Sequence, residues 1–325
     1  MGIAVADGSQ IVVFKDLGLV SQVFDEQKLR WMNGRYMREL GTDEITRRLE
    51  ELTGRSDLRA FQGLATWVDG YDFSRELTSS PTVTARTVSF MAQRGVKTIY
   101  LQAAKESPKT PYALLSRDRI GQILLAAHAR GIRVVGWYLP TFDSPSEDWR
   151  HLDAMLQFKA DGQHFDGIGI DIEDKDVAIA TRNARLVDLT RKVRARTWLP
   201  LSAIVLPPVL TEIIHPGYWG GAFPWLALRS SYDVWIPMGY YTAYRKWPTW
   251  RNAATSTSED IRRVRAHLQA QVPVAYAGGL SDASTVTDYQ RFTRAARAEG
   301  ALGVSSYDYA ITPSWAWSYL RAGAA

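Results

Sequence analysis

Phe165-Asp-Gly-Ile-Gly-Ile-Asp-Ile-Glu-Asp174 is the stretch whose pattern decides the fold. Side chains alternate between the two faces of a strand. Ile168, Ile170 and Ile172 therefore share one face, and Gly167, Gly169, Asp171 and Glu173 share the other. Two acids on the inward face of an apolar strand cost free energy unless a site uses them. The glycines beneath them leave the interior uncrowded. A parallel barrel that carries its chemistry at the carboxyl ends of its strands suits both features.

Outward from this strand, the same alternation of strand, loop and helix repeats. Strands are expected at 63–69, 96–102, 132–139, 167–173, 200–206, 233–240, 273–277 and 301–307. Helices are expected between them, near 84–94, 117–130, 147–159, 177–197, 258–271 and 283–299, with a last one from about Pro313. Gly95, Gly131 and Gly300 stand where a left-handed cap should end a helix. Eight such units give an α/β fold of the (β/α)8 TIM barrel type over 59–325, with a short N-terminal helical appendage over 1–58. Pro237 conflicts with strand six, because proline lacks a ladder donor, and a local bulge would resolve it. No Gly-rich phosphate loop follows strand one, which disfavours an open doubly wound sheet.

Composition narrows the function classes. The 325 residues are 46% hydrophobic and 22% charged, ordinary for a globular chain. There is no cysteine, which excludes thiolate nucleophiles, disulfides and cysteine metal sites. The net charge of +5 comes from arginines at helical spacing, so nucleic acid is not an expected partner. No apolar run reaches the roughly 20 residues of a membrane helix, so no membrane partner is expected. The first residues lack a secretory signal pattern, although a barrel of this kind suggests a secreted or cell-envelope setting. The five histidines avoid strand ends and metal-ligand spacing, so no metal and no cofactor are expected.

In a barrel the functional groups come from the carboxyl ends of the strands. Here those ends supply Trp67 and Asp69, Gln102, Trp137 and Tyr138, Asp171 and Glu173, Tyr240 and Tyr241, and Tyr307 and Asp308. Carboxylates beside aromatic platforms fit cleavage of a glycosidic bond, with one protonated acid and a second carboxylate or substrate group at the anomeric centre. Glu173 is the expected general acid. Asp171 or a carboxylate on another strand, Asp69 first and Asp308 second, is expected to assist. Trp67, Gln102, Trp137, Tyr138, Tyr240, Tyr241, Tyr307 and Asp308 are the expected substrate contacts. The loops after strands five and six carry Tyr218, Trp219, Phe223, Trp225, Tyr244, Trp247 and Trp250, which could wall a cleft for a glycan. The alternative is a non-catalytic, lectin-like barrel that kept the aromatic cleft.

Asp166-Gly-Ile-Gly-Ile-Asp-Ile-Glu173 resembles the strand-four signature of chitinase-like family 18 glycoside hydrolases, Asp-Gly-x-Asp-x-Asp-x-Glu. Met238-Gly-Tyr240 resembles that family's strand-six Met-x-Tyr-Asp motif. The resemblance implies Glu173 as acid, Asp171 as support for a substrate N-acetyl nucleophile, and Tyr240 as a further holder of that group. Two positions depart from the pattern: the middle Asp is Gly169, and the Asp after the tyrosine is Tyr241. As a whole, 60–320 resembles uncharacterised bacterial glycosidase-like barrels. In the appendage, Phe24-Asp25, Lys28-Leu-Arg-Trp-Met-Asn-Gly34 and Tyr36 resemble a helical stretch of bacterial glutamyl-tRNA synthetase, without that enzyme's ATP-binding signatures.

Overall fold

The computed structural model describes residues 57–219 and 221–324. The helices expected in the appendage, at 28–40 and 42–52, lie outside the described residues. From Leu58 onward the alternation seen in the sequence becomes eight parallel strands: β1 (Gly63–Val68), β2 (Thr98–Gln102), β3 (Arg133–Tyr138), β4 (Gly167–Ile172), β5 (Leu201–Val205), β6 (Val234–Pro237), β7 (Tyr276–Leu280) and β8 (Gly303–Tyr307). The long helices are α1 (Thr87–Gln93), α2 (Arg117–His128), α3 (Pro145–Leu156), α4 (Ile179–Arg194), α5 (Ala253–Leu268), α6 (Val286–Ala298) and α7 (Ala316–Ala324). Gly95, Gly131 and Gly300 follow α1, α2 and α6 with φ of +86°, +66° and +67°, as their cap positions require. Only short helical segments, Val209–Ile214 and Trp225–Leu228, separate β5 from β6. Among the described residues no helix is long and apolar enough to cross a membrane.

The strands pair in the order β6-β5-β4-β3-β2-β1-β8-β7. Between β6 and β7 there is no continuous ladder. Isolated parallel bridges Trp235–Val274 and Met238–Ala277 close the ring instead. Pro237 explains this gap. Trp235 N and Gly239 N donate to Pro273 O and Ala277 O of the β7 side, while Met238 N donates to Val205 O on the β5 side. The missing donor of Pro237 thus falls on the β7 side, midway between the two bridges. The bulge expected at Pro237 is not seen, since the β5–β6 register runs unbroken to Val205–Pro237, and the irregularity lies instead in the β7–β8 pair, between Ala277 and Leu280.

The interior is filled by complementary sizes. In parallel pairing, register partners point to the same side. Gly169 is thus level with Trp137 of β3 and Ser202 of β5, and Asp171 is level with Ile204 of β5. Trp67 lies 4.5 Å from Tyr100 and 6.0 Å from Trp137 by ring centroids, and its indole N–H donates to Ser305 Oγ at 2.9 Å. Each such ring removes about 150–250 Å² from water, worth about 4–6 kcal/mol before the entropy cost of ordering it. The expectation of an uncrowded interior beside β4 is therefore corrected. A Cβ on Gly169 would sit 2.8 Å from Ile204 Cδ1 and 3.1 Å from Trp137 Cβ. One on Gly167 would sit 3.1 Å from the Pro200 carbonyl oxygen and 3.3 Å from Phe61 Cζ. The glycines make room for bulky neighbours, and no void is left.

At the opposite, amino-terminal end, Asp166 ties the bottom of the barrel. Its carboxylate accepts from Val134 N at 2.7 Å, pairs with His128 Nε2 at 2.8 Å and accepts from Arg133 Nη1 at 3.1 Å. The first residue of the strand-four signature is thus a stability element.

Candidate functional site

β4 presents its last inward side chain, Asp171, at the carboxyl mouth of the barrel. Asp171 is 5% exposed, and its Oδ1 is buried with no hydrogen-bond partner among the described residues. Burial, reinforced by the charge of Glu173, raises its pKa well above the carboxylate range. Glu173 follows one residue beyond the strand end and is partly buried. Burial and then the charge of Asp174 raise its pKa, and the ammonium of Lys105 opposes them. The pair therefore holds protons more tightly than ordinary carboxylates do.

Tyr240 belongs to the same group. Its hydroxyl pKa is raised well above normal by burial and then by the charges of Asp171, Glu173 and Asp308. Its ring meets Tyr307 edge-on at 6.3 Å, and among the described residues its hydroxyl has only a 3.5 Å contact with Met238 Sδ. An uncommitted phenol facing two proton-rich acids can donate a hydrogen bond to a bound ligand.

Asp69 has a different role. Its Oδ1 accepts from Tyr71 N at 2.7 Å and Asp72 N at 3.2 Å, and its backbone N–H donates back to Asp72 Oδ2. This is a capping box on the short helix Gly70–Phe73. Its other oxygen accepts from the Tyr307 hydroxyl at 2.9 Å. Asp308 is 6% exposed, with Oδ1 accepting from Ile311 N at 3.2 Å. Both acids proposed as partners for Glu173 are thus engaged locally. The Asp69-Gly-Tyr-Asp72 spacing carried the signal for this cap. Asp72 is itself buried. Its pKa is pushed up to about 7, first by desolvation and then by the charges of Asp308 and Asp69. Carboxylate oxygens of Asp69, Asp72 and Asp308 all lie within 4.8 Å of one another, so these three form the set that could share an ion among the described residues.

The remaining expected contacts separate by strand parity. Trp67 and Trp137 point inward, but they are 2% and 4% exposed and form the floor of the mouth. The indole N–H of Trp137 donates to Tyr100 O. Gln102 Oε1 accepts from Gly70 N at 2.7 Å and so braces the β1 loop. Tyr138 and Tyr241 are corrected as substrate contacts, because both are fully buried outside the barrel wall. The Tyr138 hydroxyl donates to Asp148 Oδ1 of α3 at 2.8 Å, and its ring lies 4.9 Å from the His151 ring. Tyr241 packs on Phe292 of α6 and under the Arg251 guanidinium. Neighbours on a strand face opposite ways. Trp137 inward therefore requires Tyr138 outward. Tyr240 and Tyr241 lie past the end of β6, where the chain turns into the short helical segment Tyr241–Ala243.

The loop aromatics divide in the same way. Trp219, Phe223 and Trp225 run as a contact chain onto Trp235, with centroid steps of 5.3, 4.4 and 5.4 Å, and so dock the β5 loop on the barrel's outer face. Tyr218 does border open space. It lines a cavity of about 770 Å³ with Lys175, Ile179, Arg182, Ile214 and His215, beginning two residues beyond Glu173. The Lys175 ammonium stands 4.9 Å over the Tyr218 ring. Tyr71, not singled out in the sequence, is 57% exposed with Lys105 Nζ 5.7 Å over its ring. Its only sequence signal is its place directly after the first strand end.

No family model matches the chain. Over 33 residues it is 82% identical to amidophosphoribosyltransferases of Mycobacterium tuberculosis and Mycobacterium leprae, a stretch covering 10% of this chain and 6% of theirs. The curated matches include no glutamyl-tRNA synthetase, so that resemblance of the appendage finds no support in them. In structure, the chain is similar to a class V chitinase from Nicotiana tobaccum, with a TM-score of 0.58, 12% identity and coverage of 81% of this chain and 98% of that one. A GH113 beta-1,4-mannanase gives 0.54 at 11% identity, covering 82% and 99%. A chitinase-like agglutinin from Robinia pseudoacacia gives 0.55 at 14% identity, covering 80% and 98%. The chain is a (β/α)8 barrel.

Proposed function

We propose that this chain is a glycoside hydrolase acting on a glycan, with Glu173 as general acid and Asp171 as the assisting carboxylate. The observation that carries this reading is the Asp171–Glu173 pair: two neighbouring acids at the end of β4, both proton-rich through burial. A general acid that must deliver a proton near neutral pH needs such a raised pKa. The neighbours named as chitinases and a mannanase support a glycan as the class of substrate.

Asp171 and Glu173 are neighbours on one chain segment, Asp171 near the end of β4 and Glu173 one residue past it. A protein nucleophile would have to lie across the scissile bond from the acid. Asp69 and Asp308, the other inward carboxylates, are engaged in local hydrogen bonds. The arrangement therefore favours a nucleophile from the substrate itself, such as the N-acetyl group that the strand-four resemblance implies. Its carbonyl oxygen forms a bond to the anomeric carbon as the glycosidic C–O bond breaks and Glu173 protonates the leaving oxygen. Asp171 holds the amide N–H, and its unpartnered Oδ1 is free to do so. Water then opens the cyclic ion, giving its proton to Glu173. Tyr240 donates its hydroxyl to the amide group.

Gly169 favours a second reading, a carbohydrate-binding barrel without catalysis. The signature's middle Asp is missing there, so one polar neighbour of Asp171 is lost. A panel of soluble glycans, N-acetylated and not, offered to wild type and Glu173→Gln separates the two. Cleavage by wild type with binding but no cleavage by the variant supports the hydrolase. Equal binding by both, with no cleavage by either, establishes the binding barrel.

A further inference from the structure

Glu173 lies past the last ladder pair of β4, Ile172 with Val205. Beyond that point the sheet no longer fixes the backbone. A side chain from α4 does so. Arg182, in the first turn of α4, is 1% exposed. Its Nη1 donates to the Asp174 carbonyl oxygen at 2.8 Å, one peptide beyond Glu173, and its Nη2 donates to Tyr218 O at 3.4 Å. The guanidinium stacks on the Trp219 ring, 3.6 Å from its centroid. The next residue extends the grip: Asn183 Oδ1 accepts from the Trp219 indole N–H at 2.8 Å, and Asn183 Nδ2 donates to Ala222 O.

This burial is costly. Desolvation lowers the arginine's pKa, and its Nε has no partner among the described residues. Cation–π contact and two carbonyls offset part of the cost. The two carbonyls belong to different loops, those after β4 and β5, and residues of both loops line the 770 Å³ cavity that begins at Lys175, two residues past Glu173.

We propose that Arg182 is a positioning residue that ties the segment just past Glu173 to the Tyr218–Trp219 loop as one unit, so that a glycan seated along these loops meets the acid at a fixed distance. This rests on Glu173 being the acid. A displacement of about 1 Å at a reacting centre costs on the order of 10²-fold in rate.

The test uses the full chain carrying Arg182→Met and Arg182→Lys, with Trp219→Phe as a variant that keeps the Asp174 bond. Amide hydrogen exchange over 173–176 and 217–222 is measured with kcat, KM and the pH–rate profile. Arg182→Met is expected to speed exchange in both segments together, lower kcat on the order of 10²-fold and shift the basic limb of the profile. Arg182→Lys is expected to restore part of each, and Trp219→Phe to raise KM more than it lowers kcat. Unchanged exchange in both segments for a folded Arg182→Met overturns the proposal. If Arg182→Met does not fold, Arg182→Lys with wild-type exchange and profile overturns it equally. If wild type cleaves no glycan, the hydrolase reading fails, while exchange still decides whether Arg182 couples the two loops.

Discussion

Gly169→Ala tests whether the interior beside β4 is filled. The added Cβ would lie 2.8 Å from Ile204 Cδ1, 3.1 Å from Trp137 Cβ and 3.2 Å from Ser202 Oγ. Overpacking of this kind costs about 1–3 kcal/mol. Replacing glycine also restricts the unfolded chain, which returns about 0.4–1 kcal/mol. The net expectation is a loss of roughly 1–2 kcal/mol, with about 2–4 °C in Tm for each kcal/mol at this chain length. The nearest atom, Ile204 Cδ1, is removed by Ile204→Val, which alone costs about 0.5–1.5 kcal/mol. In the double variant the alanine methyl takes the vacated space, so the two losses should not add. A coupling of about 1 kcal/mol is expected between such touching sites. Urea unfolding of the four proteins gives the cycle, provided the m-value stays constant. A neutral or stabilising Gly169→Ala, or strictly additive losses, refutes the idea that neighbouring strands occupy this space. It would also remove the steric account of why the signature's Asp is absent here.

Three other outcomes are expected. Tyr240→Phe should lower glycan cleavage by on the order of 10²-fold, as loss of a preorganised donor does, with Tm unchanged because among the described residues its hydroxyl touches only Met238 Sδ at 3.5 Å; kinetics alongside thermal unfolding checks this. Asp69→Ala should cost about 0.5–2 kcal/mol of stability through loss of the helix cap, measured by denaturant unfolding; a rate loss without a stability loss refutes the capping assignment. The hydrogen bond to Asp166 raises the pKa of His128, so that pair's contribution is full below the ordinary histidine value of 6.5 and fades as pH climbs through the raised value. Unfolding free energy should therefore fall over that window, and His128→Gln should flatten the slope; a wild-type slope in the variant refutes it.

Local periodicity and turn chemistry are properties of neighbouring residues, and they were enough to read eight βα units, the glycine caps and the inward direction of Asp171 and Glu173. The same parity, applied strictly, separates Trp137 from Tyr138. The Asp69–Asp72 spacing already spelled a cap. Other features depend on residues distant in the chain. Gly169 looked like open space until Ile204 and Trp137 were brought against it. Asp308 joined Asp69 and Asp72 only when β8 closed on β1. The loop aromatics looked like a cleft wall, and the fold chained Trp219, Phe223 and Trp225 onto Trp235. Arg182 had no signal at all, since its meaning lies in two carbonyls from separate loops. The sequence by itself determined the barrel and the candidate acids, because alternation and capping act over a few residues. Only the tertiary structure decided which acids stay uncommitted and what holds them, because steric filling, desolvation and hydrogen-bond partners are set by neighbours in space.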